Sequence, residues 1–313
     1  MNKLILIFTS VILLTSTHQL AGQNANDPVT LGTPRKLHGG FAFTEGPAAD
    51  PHGNVYFTDI PNGKIYVHRV DGSLETFMER SARCNGLMFD KKGQLWACQG
   101  GNGRVIRIDP KTKAIQPVAA EIDGGPFLST NDLVLDAHGG AYFTDPAYSR
   151  HPDAKVEEAV YYVDAKGKIH RLFDGLPRPN GILLSPDGST LYLLPAGQKK
   201  LLKSQVIEPG ALGPLETLAE LPSGGDGLTC DSEGNLYLTQ PRRKLILVVS
   251  PSGEKLAQMQ IPESPSNIAF GGPNLDSLYV TARTSLYKLP VNRRGIRLKS
   301  PAIEPAGTPI ESQ

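Results

Sequence analysis

Six times along this 313-residue chain a polar residue stands five positions before a turn, and an aromatic follows it by eleven or twelve. The polar residues are Glu45, Asn85, Asn131, Asn180, Asp226 and Asn267. The aromatics are Tyr56, Trp96, Tyr142, Tyr192, Tyr237 and Tyr279. Turns such as Asp50-Pro51-His52-Gly53 and Asp231-Ser232-Glu233-Gly234 recur at the same register, with a looser sixth around Gly271 to Asp276. Successive units are 40 to 49 residues apart. A unit that short cannot bury its apolar face alone, so it must stack on its neighbours.

Within a unit the pattern is that of strands. In the first, Pro47 to Ala49, Asn54 to Asp59, Lys64 to His68 and Leu74 to Met78 are parted by Gly53, Pro61-Asn62-Gly63 and Asp71-Gly72, which are hairpin signals. Helical periodicity is scarce, and 33 Gly with 26 Pro punctuate the chain. The expected fold is all-β: one six-bladed β-propeller of four-stranded blades, over residues 23–313. The sixth unit weakens after Leu289. Its outer strand is expected from either Val29 to Leu37 or Gly295 to Leu298.

Residues 1–22 read as a cleaved signal peptide: Lys3, then an apolar run from Leu4 to Leu14, then Leu20-Ala21-Gly22. That run is short for a membrane span, and Gln23 stands where lipid attachment would need Cys. The expectation is export to the periplasm or outside the cell, with no membrane association after cleavage. Removing the peptide takes away Lys3 and no acid, so 32 basic against 31 acidic residues becomes an equal balance. With no basic run either, nucleic acid is excluded as an expected partner. The expected assembly is a monomer or weak dimer. Of the three cysteines, Cys84 and Cys98 fall near facing positions of one hairpin, where a disulfide would fit. Three buried thiols are the favoured alternative.

The six polar residues begin the innermost strands, so they converge on one mouth of the channel. Loops leaving each second strand rim that mouth. The longest, Pro146 to Glu158, is the expected substrate-covering lid. It carries Tyr148, Arg150 and His151, with Asp145 at its root, as candidate substrate contacts; ordinary loop polarity is the plainer account of all four. One Glu, one Asp and four Asn offer oxygen without thiolate or imidazole. Such a set suits one hard divalent cation, Ca²⁺ first, then Mg²⁺ or Mn²⁺, with Zn²⁺ disfavoured by ligand type. The competing account is that these groups hydrogen-bond blade ends around a wet channel. That suits a lone Asn better than two buried carboxylates.

These residues resemble the family of gluconolactonases, senescence marker protein (regucalcin) and luciferin-regenerating enzyme. The likeness rests on Phe43-Thr44-Glu45-Gly46-Pro47, Cys84-Asn85-Gly86-Leu87, Ser129-Thr130-Asn131-Asp132 and Tyr142-Phe143-Thr144-Asp145-Pro146. It continues through Pro179-Asn180-Gly181, Asp226-Gly227 and Asn267-Ile268-Ala269-Phe270-Gly271-Gly272. The resemblance implies a catalytic divalent metal held by Glu45, Asn180 and Asp226, with Asn131 as ligand or substrate contact. Asn85 and Asn267 would support that shell. Two departures bear on substrate: Ser129 stands where animal members carry an Arg that contacts sugar, and Cys98-Gln99-Gly100 replaces a bacterial His-Gly pattern.

The resulting expectation is a lactone hydrolase in which the cation polarises the carbonyl and Asp226 is the base for water. Activation of water by the cation without Asp226 is the other route. The same site on a phosphotriester and a non-catalytic calcium-stiffened binding propeller are the alternative functions, since the fold alone does not choose.

Overall fold

The computed structural model describes residues 28–296. The proposed signal peptide lies outside the described residues. Within them, six antiparallel sheets follow one another in chain order. Blade one is Thr44–Ala49, Val55–Asp59, Lys64–His68 and Leu74–Met78. The inner strands of the other five begin with Cys84–Phe89, Leu133–Leu135, Gly181–Leu184, Leu228–Cys230 and Pro265–Gly271.

The apolar core lies between blades. Each neighbouring pair shares one cluster: Tyr56, Ile65 and Phe77 meet Leu95 and Ile106 between blades one and two. Phe41 and Phe57 meet Tyr279 and Leu286 where blade six returns to blade one. Because a blade is covered on both sides, its second strand is buried on both faces. That is why Val55–Asp59 and Ala141–Asp145 lack the alternation of a half-exposed sheet.

The repeated turn aspartate explains the repeated aromatic. Asp90 accepts the backbone N–H groups of Lys92 and Gln94 on one oxygen and the Trp96 indole N–H, at 3.0 Å, on the other. Asp231 serves the Tyr237 hydroxyl the same way, also at 3.0 Å. The turn thus fixes a buried ring whose polar tip is satisfied.

The N-terminal segment closes the ring. Arg35–Gly39 pairs antiparallel with Ser285–Pro290 as the outer strand of blade six. It begins later than the sequence pattern suggested. The rival segment contributes a lone bridge from Gly295 to Asp231, and Arg297 and Leu298 lie outside the described residues. Blade four also departs from four plain strands. Its third strand runs on through Lys200–Glu208 and folds back as Ala211–Leu212, with the Gly210 N–H donating to the Tyr142 hydroxyl at 3.1 Å. All three cysteines are free and buried. Cys84 faces Gln99 in the ladder, so Cys98 points to the other face of the sheet.

At the closure His38 Nε2 and His68 Nδ1 share a hydrogen bond of 2.9 Å. Burial, then the neighbouring His38, Lys288 and Arg35, push the His68 imidazole down to about 4. Its folded value lies below its unfolded one, so the unfolded chain binds more protons between them. The stability this neutral pair contributes is therefore complete above about 6.5 and is lost as pH falls towards about 4. Thermal melts should show a steeper acid decline for the wild type than for His68→Gln across that window.

Candidate metal and substrate site

The second strands brace the segments that lead into the polar residues. Asp59 accepts the Ala42 N–H and, at 3.0 Å, the Phe43 N–H, just before Glu45. Asp145 accepts the Leu128 and Ser129 N–H groups, both at 2.8 Å, just before Asn131. Gln99 donates to the Ser81 carbonyl at 2.9 Å, before Asn85. A threonine on the same strand then reaches the next blade. Thr58 Oγ1 donates to the Asn85 carbonyl at 3.2 Å, and Thr144 Oγ1 to that of Asn180 at 2.9 Å. Asn85 is thus clamped both from its own blade and from its neighbour.

A cavity of about 320 Å³ opens where the inner strands begin. Glu45, Asn85, Asn131, Asn180 and Asp226 line it, with Ser129 and Tyr148. Five of the six repeated polar residues thus meet in one space. Asn267 does not line this cavity. Its Nδ2 donates to Asp132 Oδ2 at 3.3 Å, and both residues border a second cavity of about 510 Å³ at the opposite, turn-bearing end. That larger space is walled by Leu87, Leu133, Ile182, Leu228 and Ile268, with turn aspartates such as Asp90 and Asp136 around it. Glu45, Asn267 and Asp132 form the partition between the two.

Glu45 is buried and Asp226 half-buried, and neither has a cationic partner among the described residues. Burial raises the Glu45 carboxyl far above the usual range, opposed by the Gly46 N–H, which donates to its Oε2 at 2.9 Å. Burial raises Asp226 as well, and the charges of Glu45 and Asp132 add to it. Asp132 is pushed up to about 6 by burial. The cluster therefore holds excess negative potential that a small cation would relieve. No group of three His, Cys, Asp or Glu side chains is placed to share an ion among the described residues. Any cation here would take two carboxylates completed by amide oxygens. Asn180 is oriented for that: its Nδ2 donates to the Tyr148 hydroxyl at 3.0 Å, leaving its carbonyl oxygen free to turn to an ion.

The loop from Pro146 to Glu158 lies over this cavity, not on the far face. Tyr148 and Ser149 reach into the lining, and Ser149 Oγ donates to Ser129 Oγ at 3.1 Å. Arg150 turns back on the loop, pairing with Glu157 at 3.1 Å and donating to the Val156 carbonyl at 2.9 Å. The His151 N–H donates to the Leu128 carbonyl at 2.9 Å, and its Nδ1 accepts from Asp153. Arg150 and His151 are thus committed to the shape of the loop, and Asp145 to bracing Ser129. Of the four loop candidates, Tyr148 alone enters the cavity. The Cys84 thiol is no nucleophile: burial pushes it up to about 12, and it donates to the Ser81 carbonyl.

Asp132, Arg83 and the clamping threonines were not singled out in the sequence. The recurring Phe-Thr-Asp of 57–59 and 143–145 was the available signal for the clamps. One test of the Tyr148 contact follows. Tyr148→Phe keeps the ring but removes the acceptor that orients Asn180, so divalent-cation affinity should fall about tenfold, the lower range for losing a group that orients a ligand. Calorimetric titration of calcium into both proteins measures it.

The chain belongs to the SMP-30/Gluconolactonase/LRE-like family, whose model matches residues 43–284. Among its relatives, a gluconolactonase of Zymomonas mobilis is 26% identical over 290 residues, covering 79% of this chain and 78% of that one. A pentonolactonase of Haloferax volcanii is 27% identical over 248 residues, covering 76% of this chain and 80% of the other. A solved structure of regucalcin from Agrobacterium tumefaciens, described as a calcium-binding protein, superposes with a TM-score of 0.74 at 21% identity. That superposition covers 85% of this chain and 96% of the regucalcin, and it shows the shared propeller fold.

Proposed function

We propose that this protein is a divalent-metal-dependent hydrolase that opens lactone rings in the cavity beneath the 146–158 loop. The observation that carries the reading is the pair of carboxylates, buried Glu45 and half-buried Asp226, converging with amide oxygens in a covered cavity. The lactonase names of the Zymomonas and Haloferax relatives support the bond type.

Glu45, Asn180 and Asp226 would hold the cation, with Asn131 as a further ligand or substrate contact. Calcium suits a set of two carboxylates and neutral carbonyl oxygens. When bound, the cation supplies a Lewis acid for the lactone carbonyl and the charge that develops on its oxygen. Asp226 accepts a proton from the attacking water. The water oxygen bonds to the carbonyl carbon, the ring C–O bond breaks, and the departing ring oxygen is protonated to give a hydroxy acid. Asn85 and Ser129 offer hydrogen bonds to ring hydroxyls, while Tyr148 holds Asn180 and limits water entry. Export by the 1–22 segment would place the reaction outside the cytoplasm; a mature protein beginning at Met1 would oppose that.

A panel of sugar lactones and a phosphotriester, each followed with and without chelator, tests the function. Lactone opening abolished by chelator is the expected result. Phosphotriester cleavage alone would reassign the bond, and no turnover in either class would oppose an enzyme.

Because both ligand carboxylates are pushed upward in the absence of a cation, ion binding should displace protons. Affinity should accordingly rise with pH through neutrality, with proton release visible as a buffer-dependent binding enthalpy.

A further inference from the structure

Two arginines stand at the mouth of this cavity with neither guanidinium in an ion pair among the described residues. Arg83 lines it, two residues before Asn85. Arg178 stands two residues before Asn180, close enough to Tyr148 for its charge to act on the phenol. Both hold left-handed backbone, with φ of 57° and 53°. Bulky L-residues avoid that conformation unless the surroundings impose it.

The surroundings do impose it. Arg178 lies between Pro177 and Pro179. Its N–H donates to Glu158 Oε2 at 3.3 Å, and its carbonyl accepts the Ala196 N–H at 3.0 Å. Ala82, left-handed at φ 52°, accepts the Gly101 N–H at 3.1 Å and so fixes the bend into Arg83. The two backbones are pinned, yet neither guanidinium is in an ion pair or hydrogen bond among the described residues. Arg83 is the one basic side chain in the lining of this cavity among the described residues, whereas Lys64 and Arg150 nearby are matched, with Glu79 at 2.8 Å and Glu157 at 3.1 Å.

The charge balance gives the two arginines a task. On the proposed reading, a dication cancels Glu45 and Asp226, and Asp132, part of the partition, lines the far cavity and not this one. Of the charged side chains lining the cavity, Arg83 is then left, with Arg178 close beside Tyr148. A neutral sugar lactone has no use for them. An oxyanion does, since the planar guanidinium fork matches carboxylate and phosphate oxygens.

We propose that Arg83 and Arg178 form an anion subsite at the cavity rim, making lactones that carry a carboxylate or phosphate away from the ring carbonyl the preferred substrates. This rests on the lactonase reading, and the experiment separates the two. Calcium-loaded wild type, Arg83→Gln and Arg178→Gln are given glucono-delta-lactone, its phosphate ester and the mono-lactone of glucaric acid. The ratio of kcat/KM, charged over neutral, is taken on each preparation, so any general loss of activity cancels. Calorimetry then compares binding of gluconate with that of its phosphate ester. The wild-type ratio should be about tenfold or more, the scale of one charge-assisted hydrogen bond. It should fall with added salt and collapse towards unity in each variant. The two charged lactones show whether phosphate or carboxylate is favoured. A neutral lactone opened as fast as the charged ones, with unchanged ratios in both variants, overturns the anion subsite and leaves the lactonase standing. No lactone opened, but phosphate-ester binding lost in both variants, upholds the subsite and overturns the lactonase.

Discussion

Asp226→Asn, assayed with the cation saturating, is expected to lose about 10²-fold or more in kcat on a lactone, the scale of removing a general base. Asparagine keeps an oxygen for the ion and nearly the same volume, so the fold should persist. Asn180→Asp should retain more activity under the same conditions, because it preserves the ligating oxygen and leaves Asp226 intact. The two substitutions swap the same pair of groups in opposite directions at residues lining one cavity. Cation occupancy must be measured for each. Full activity of Asp226→Asn at full occupancy would mean that Asp226 is not the base and that the cation alone activates the water.

Glu45→Gln is expected to act on the ion and on the fold in opposite senses. The amide keeps an oxygen for the Gly46 N–H, so the local backbone contact survives. The lost charge should weaken cation binding by about 10²–10³-fold, since a unit charge at ion-contact range is worth about 4 kcal/mol at an intermediate effective dielectric. Without a cation the sign reverses. The wild-type protein holds Glu45 and Asp226 in mutual repulsion, so the Glu45→Gln variant should melt higher than wild type in chelator. Thermal scans with and without calcium read both effects. A variant that melts lower in chelator would mean that the contacts of Glu45 with the Gly46 N–H and Asn267 depend on its charge and outweigh the repulsion.

Much of the fold was legible because six blades solve the same problem with the same residues. Asp90 and Trp96 show why: the turn acid and the ring six residues on are joined by a hydrogen bond, so neither drifts independently. The position of the loop was legible too, because its length after Pro146 exceeds that of the other rims. Its internal wiring was not. Arg150 and Glu157 are brought together by loop closure, a pairing that follows no strand or helix period. Asp132 was hidden for a different reason. It directly follows a ligand candidate, and only the three-dimensional arrangement turns it towards Asn267 and the partition. The left-handed bends at Arg83 and Arg178 have no glycine to announce them. The N-terminal closure was ambiguous because Arg35–Gly39 is an exposed edge strand with little apolar pattern.

The most direct test is to strip the mature protein of metal, return calcium in steps, and follow proton release from glucono-delta-lactone beside calorimetric occupancy. Activity should be absent in the stripped protein and should rise in proportion to the filling of about one site per chain. It should stay absent in the Glu45→Gln, Asp226→Asn double variant at the same calcium concentrations. Undiminished lactone opening by the stripped protein, or by the double variant, would contradict a metal-dependent lactonase centred on these two carboxylates.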